Sequence, residues 1–493
     1  MRRVLLLSLL AACGSATSKM VAAPPGQPFS PTAIATAEQG PGTEDYKDWG
    51  KNPWVEARED HLSTFAADVD TASFTIARRK LEEGTLPPAA SVRVEEWVNY
   101  FKYSFPPAQG GSPFSVVMDA AAHPFQPGRY VLRVGVATKA KTPGERKPAS
   151  LVFLVDVSGS MSSPDKLELA KKALHILTAN LTDKDAVSLV TYAGSSRVVL
   201  PMTSIDRRAV IDGAIDSLST SGSTAMGSGL DLAYEQAIRT VRPGAISRVI
   251  VCTDGDANVG SHSYQELLKI IGDRAKQGVT LSTIGFGMGN YKDTTMEQLA
   301  DKGNGNNYYI DSLDMAKRVF AEQLTSTLEV AAKDVKLQVD FDPSHVVRYR
   351  LIGYENRDLK DADFRKDDVA AGQVGWGHQV TAMYEVELSD NAPLAPLGLV
   401  RIRHKAPDGD KAVEETFAMT ASPLPAFGAA QPDLRFAFAV AAFADVMRGG
   451  EQWSLDDIRE LADGAATDND RKELVGLIDR ARTLRGKTAA VAR

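Results

Sequence analysis

Between residue 150 and about residue 328, apolar runs of strand length alternate with amphipathic stretches of helix length. Leu151, Val152, Phe153, Leu154 and Val155 form an unbroken apolar run, as expected for a strand covered on both faces. A helix is predicted over 167–181, a strand over 186–192 and a short edge strand over 197–200. Helices follow over 207–218 and 225–239, then an apolar strand over 248–253, a helix over 264–277 and a strand over 280–286. Helices over 296–302 and 315–328 flank a last strand at 308–310. This alternation predicts an α/β fold, a doubly wound and mainly parallel sheet with helices on both faces.

The flanks differ in pattern. Upstream, a helix is predicted over 71–83, capped by Asp70 or Thr71 and ended by Gly84. A second helical stretch over 92–103 precedes two strands at 114–118 and 130–137. Downstream of Lys333, strands are predicted over 335–341, 346–353, 378–388 and 397–404. Helices over 433–448 and 455–462 and a helical tail to about residue 484 close the chain. The expected division is a smaller N-terminal α+β segment over 56–145, the doubly wound domain over 146–330, and a β-rich C-terminal domain over 331–493 that ends in helices. No internal repeat is visible.

The 493 residues, 43% hydrophobic and 24% charged, suffice for several buried cores. A net charge of −7 argues against a nucleic-acid-binding surface. Arg2 and Arg3, the apolar run 4–10 and then Leu10-Ala11-Ala12-Cys13 form a leader too short to span a bilayer. Leu-Ala-Ala-Cys resembles the lipobox of bacterial lipoproteins. The resemblance implies a signal peptide over 1–12 and diacylglycerol on Cys13, hence a membrane anchor. Residues 13–55, rich in Ala, Pro, Gly, Ser and Thr, read as a flexible tether. Gly14 lacks the acidic character that often retains lipoproteins at an inner membrane, which favours the outer membrane or periplasmic face. The other cysteine, Cys252, lies in an apolar strand and reads as a small core side chain rather than a reactive thiol.

Candidate chemistry gathers at the predicted strand ends. Asp156-Val157-Ser158-Gly159-Ser160 follows the first buried strand, and ligands of doubly wound sheets bind beyond the carboxyl ends of strands. Val251-Cys252-Thr253 delivers Asp254 to the same edge, and Ser221-Gly222-Ser223-Thr224 brings the Thr224 hydroxyl on a neighbouring loop. Two carboxylates and three hydroxyls make an all-oxygen set suited to Mg²⁺, Mn²⁺ or Ca²⁺.

D-x-S-x-S, the downstream Gly-Ser-Thr and Thr-Asp-Gly on this β–α alternation resemble the metal-ion-dependent adhesion site of von Willebrand factor A domains. The resemblance implies that Ser158, Ser160 and Thr224 coordinate the ion directly, with Asp156 and Asp254 mostly acting through water. One coordination position is then left for a carboxylate from a partner protein. Residues 65–74, Val92-Arg93-Val94-Glu95-Glu96, Asn99-Tyr100-Phe101, residues 349–357 and residues 377–385 resemble the flanks of one bacterial subfamily, typically predicted lipoproteins without an assigned activity.

Other motifs fall short. Asp68-Val69-Asp70 reads as a strand end running into a helix cap in preference to a metal site. Asp254-Gly255-Asp256 begins like a calcium loop, but Val259 and Gln265 stand where an EF-hand needs Gly and Glu. Ser163-Pro164-Asp165-Lys166 and Ser389-Asp390-Asn391 suggest serine β-lactamases, but no Lys-Thr-Gly follows. The seven histidines include no H-E-x-x-H pair. With no nucleophile beside a base, no catalysis is expected. The expected function is a membrane-tethered, divalent-metal-dependent protein-binding module of the bacterial cell envelope, its partner supplying an Asp or Glu. Alternatives are a structural envelope protein whose ion stabilises the fold and, less favoured, a hydrolase whose ion activates water.

Overall fold

The computed structural model describes residues 44, 46–108, 110–255, 263–287, 291–369, 371–389, 396–419 and 424–491. The predicted signal peptide, Cys13 and the tether as far as residue 43 lie outside them. The N-terminal flank runs β1 (Val55–Glu56), β2 (Leu62–Ala66), α1 (Ala72–Glu82), α2 (Val94–Tyr100), β3 (Phe114–Ala122) and β4 (Arg129–Thr138). The central region follows as β5 (Ala149–Asp156), α3 (Leu169–Ala179), β6 (Ala186–Tyr192), β7 (Ser196–Ser204), α4 (Arg208–Asp216), α5 (Met226–Ile238) and β8 (Ile246–Thr253). It continues through α6 (Tyr264–Lys276), β9 (Val279–Phe286), α7 (Asp293–Lys302), β10 (Asn307–Ile310), α8 (Leu313–Lys317) and α9 (Leu324–Leu328). The C-terminal flank comprises β11 (Val330–Phe341), β12 (Val346–Ile352), β13 (Gly372–Gly375), β14 (Gln379–Leu388), β15 (Gly398–Lys405) and β16 (Ala412–Ala418). It ends in α10 (Pro432–Met447), α11 (Leu455–Asp463) and α12 (Asn469–Val491).

The central sheet has the order β10-β9-β8-β5-β6-β7, parallel except for β7 on β6. The central strand β5 is buried along its whole length because helices cover both faces of the sheet, whereas the edge strand β7 is partly exposed. Leu151, Phe153 and Val155 of β5 enter the core built with α3, α4 and α8, while Val152 and Leu154 enter the core built with α5, α6 and α7. The chain order reverses between β5 and β8, so a crevice opens at their carboxyl ends. The helix predicted over 315–328 is broken into α8, a wider turn over Arg318–Glu322, and α9.

The two flanks, read separately from the sequence, share one β-sandwich. One sheet runs β1-β12-β14-β4-β3, and the other runs β13-β11-β15-β16 with β2 on β11. Phe65 and Leu132 from upstream meet Leu337, Val339, Tyr384 and Val386 from downstream in a common core. Local periodicity carries no trace of such pairing, because the partners lie hundreds of residues apart. The end of the predicted tether is packed as well. Asn52 donates its amide to the carbonyls of Leu351 (3.2 Å) and Gly353 (2.7 Å), and Lys80 donates to Glu44 at 2.7 Å. Helix α1 runs along β10, where Asp70 accepts the backbone N–H of Asn307 (3.0 Å) and so occupies a donor at the edge of the sheet. Trp97 and Phe101 stack edge-on against Phe443 and Phe436, tying α2 to α10.

Candidate metal centre

The oxygen cluster sits where the strand order reverses. Asp156 ends β5 and Asp254 follows β8, its parallel neighbour, and both are fully buried. The backbone N–H of Ser158 donates to Asp156 Oδ1 (2.8 Å), and Thr253 Oγ1 donates to Oδ2 (3.1 Å). The Asx turn directs Ser158 and Ser160 to one side, their hydroxyls 2.9 Å apart. Burial, and then the charge of Asp254, raise the Asp156 carboxyl to about 6 against hydrogen bonds that lower it. Thr224 lies in the loop before α5. That loop is held to the Asp156 turn by backbone bonds, Ser221 N–H to Val157 O (2.6 Å) and Gly159 N–H to Gly222 O (3.1 Å). All five predicted residues therefore stand on three segments that meet at one end of the sheet.

One neighbour escaped the sequence reading. Lys166, in the turn before α3, donates its buried ammonium to Asp254 Oδ2 at 2.9 Å. Its stem packs on Gly287, where any Cβ would collide with the lysine Cγ. Gly287 has φ +70°, and its carbonyl accepts from Arg79 of α1 (2.9 Å) and from the Tyr309 hydroxyl. The rim of the cluster is thus continuous with the upstream flank. A lysine ten residues after the first aspartate was the available signal, but its spacing alone does not say where its head lies.

The flank motifs converge on a second place, at α7. Asp68 accepts from the Asp70 N–H and from Arg357 Nε (3.1 Å), and Arg357 also reaches Glu297 (3.0 Å) and Asp301 (2.5 Å). Arg93 bonds Glu96 and Asp293. The expected helix cap at Asp70 or Thr71 is not formed. Thr71 occupies the N-cap without a side-chain bond, and Asp70 serves the Asn307 N–H instead, because the sheet edge lies within its reach. Carboxylates outnumber guanidinium groups at this junction, and burial raises Glu95 to about 7 and Glu96 to about 8. Among the described residues, no group of three or more His, Cys, Asp or Glu is arranged to hold an ion. Cys252 is buried in β8, its thiol pushed up to about 12 by desolvation.

The strand order, its reversal at Asp156 and Asp254, and the oxygen set at that point define a von Willebrand factor A domain. Residues 150–322 match the family model for the von Willebrand factor type A domain, and residues 40–133 match one described as von Willebrand factor. Residues 326–484 match the model of the C-terminal part of Uncharacterized protein YfbK. Over 444 residues the chain is 38% identical to Uncharacterized protein YfbK of Escherichia coli, covering 85% of this chain and 76% of that protein. The chain belongs to the YfbK family, whose members join a von Willebrand factor A domain to a C-terminal domain. An uncharacterized protein of Synechocystis sp. is 24% identical over 282 residues, 56% of this chain and 66% of its own length. A solved von Willebrand factor type A structure from Catenulispora acidiphila is 19% identical, covers 78% of this chain and 90% of its own, and has a TM-score of 0.43.

Proposed function

We propose that this chain is a non-catalytic, membrane-tethered binding module of the bacterial cell envelope, which captures a protein partner through a divalent ion. The observation carrying this reading is the meeting of Asp156, Ser158, Ser160 and Asp254 at the ends of the two strands between which the sheet reverses. The donor set fits the ion chemically. It consists of hard oxygens only, and the carboxyl groups are buried where an uncompensated negative charge is costly. Ser158, Ser160 and Thr224 would hold Mg²⁺, or Mn²⁺ or Ca²⁺, directly, with Asp156 and Asp254 acting through water. When bound, the ion offers a position to an Asp or Glu of the partner.

The leader and Cys13 support the envelope and the lipid anchor. No helix among the described residues is long and apolar enough to cross a membrane. The reading of the ion as a structural prop is weakened by Lys166, which already supplies positive charge to Asp254. The test is a capture experiment with the lipidated full chain, with and without chelator, beside Asp156→Ala. Partner capture that disappears with chelator and in the variant, while thermal unfolding stays cooperative, supports the module. Unfolding on chelation favours the scaffold. Turnover of ester, peptide, phosphate or β-lactam substrates that vanishes in Asp156→Ala would revive the hydrolase.

A further inference from the structure

At the opposite end of the central sheet from Asp254, a cavity of about 660 Å³ opens between the β8–β9 end and the β-sandwich. Its volume lies within the range of small-molecule sites. Six Lys or Arg and four Asp or Glu line it, in a chain whose net charge is −7. Three of the carboxylates are already matched: Glu329 by Lys141 at 2.5 Å, Asp334 by Lys405 at 2.7 Å and Asp408 by Lys147 at 2.8 Å. The fourth, Asp410, is exposed.

Arg248, at the start of β8, is the unusual member. It is 2% exposed, yet among the described residues no carboxylate lies within 4 Å of its guanidinium. Neutral groups hold it instead. Nε donates to Thr280 Oγ1 (3.0 Å), and Nη1 donates to Ser282 Oγ (3.0 Å) and to the carbonyl of Thr327 near the end of α9. Its other nitrogen, Nη2, donates to no described residue, so part of the fork is engaged in structure and part is left over. Buried charges are as a rule paired, and a guanidinium cannot escape the cost by losing its proton. Desolvation lowers Arg248 to about 10. His378 is no counter-ion: burial and the nearby guanidinium lower it to about 4, so it stays neutral. Arg242 and Lys333 line the same cavity, and among the described residues neither has a carboxylate within 4 Å.

We infer that this cavity is an anion site, built to take the phosphate group of a small ligand or of a lipid headgroup between Arg248, Arg242 and Lys333. Three cations that line one cavity without an ion-pair partner of their own suit a group of charge near −2, and the unengaged Nη2 of Arg248 suits one of its oxygens. The inference is independent of the metal centre, which occupies the other end of the same strand.

The experiment uses the full chain and three probes: inorganic phosphate by calorimetry, chloride at matched ionic strength, and vesicles of phosphatidylglycerol against phosphatidylcholine. The expected result is saturable binding of phosphate or selective sedimentation with phosphatidylglycerol, and no effect of chloride. Phosphate binding alone identifies a free ligand as the source, whereas vesicle binding alone identifies a headgroup. Arg248→Met removes structural bonds as well, so the deciding variant is Arg242→Ala with Lys333→Ala, whose side chains support no other described ion pair. That variant should melt like the parent without phosphate and bind the probe about tenfold or more weakly. Absence of binding to both phosphate and phosphatidylglycerol overturns the inference. Unchanged affinity in the double variant does so equally.

Discussion

The Lys166 ammonium lies 2.9 Å from Asp254 Oδ2, so a tethered cation shares the carboxylate that the metal reading assigns to a divalent ion. The two cations cannot both neutralise Asp254 fully. Lys166→Met should therefore tighten Mg²⁺ binding in calorimetric titration. It should also lower stability by about 3 kcal/mol without divalent ion, since half of a buried pair is left. Added Mg²⁺ should restore most of that loss in thermal melts. An equal loss with and without Mg²⁺ would show that Lys166 and the ion do not compete.

Gly287 controls where that lysine can lie. Its φ of +70° disfavours any side chain, and an added Cβ meets the Lys166 stem. Gly287→Ala should lose about 1–2 kcal/mol from backbone conformation alone, and more from the collision. In a Lys166→Ala background only the backbone part should remain. Additive losses in a double-mutant cycle read by urea unfolding would refute the contact.

The junction at α7 predicts a pH dependence. Glu95 and Glu96 are raised to about 7 and about 8, so the folded protein holds protons there that the unfolded chain releases near 4.5. Their contribution is complete below about 4.5 and is lost as pH rises through 7 and 8. Urea unfolding should show stability falling by about 5 kcal/mol between pH 5.5 and 8.5. Glu95→Gln should flatten the curve, and a parallel curve would disprove the assignment.

Arg357 holds the same junction together through Asp68, Glu297 and Asp301. Arg357→Met leaves these carboxylates uncompensated and should cost roughly 3–5 kcal/mol at pH 7.5. The loss should shrink at pH 5.5, where the buried acids take up protons. A loss independent of pH would assign Arg357 a packing role only.

Cys13→Ser tests the anchor. The variant should leave the detergent phase on phase partitioning, and unchanged partitioning would exclude acylation at that residue.

The central domain was legible because most of its elements satisfy their own periodicity, the broken stretch from α8 to α9 being the exception. Residues 186–192 read as a strand and form β6, and D-x-S-x-S announced the end of β5. What escaped was set by distant residues. β1, β2 and β13 are short or lie against partners from the other flank, so their sequences do not alternate cleanly. Asp68-Val69-Asp70, Arg93 and Arg357 were each visible as motifs, but their common destination at α7 depends on the fold. Lys166 and Arg248 are ordinary basic residues in sequence. Burial and the identity of their neighbours give them meaning, and neither is encoded locally.

Because Leu62 of β2 pairs with Asp340 of β11, the upstream strand has no partner until about 280 further residues exist. At roughly 5–20 residues per second, a ribosome needs about 14–56 seconds to supply it. During that interval β2 and the β3–β4 hairpin present unsatisfied edges, and the A domain folds between two halves of a sandwich that cannot yet close. Timing, rather than stability, then becomes the hazard for this chain. Assembly should depend on a holdase that covers those edges until β11 has been made.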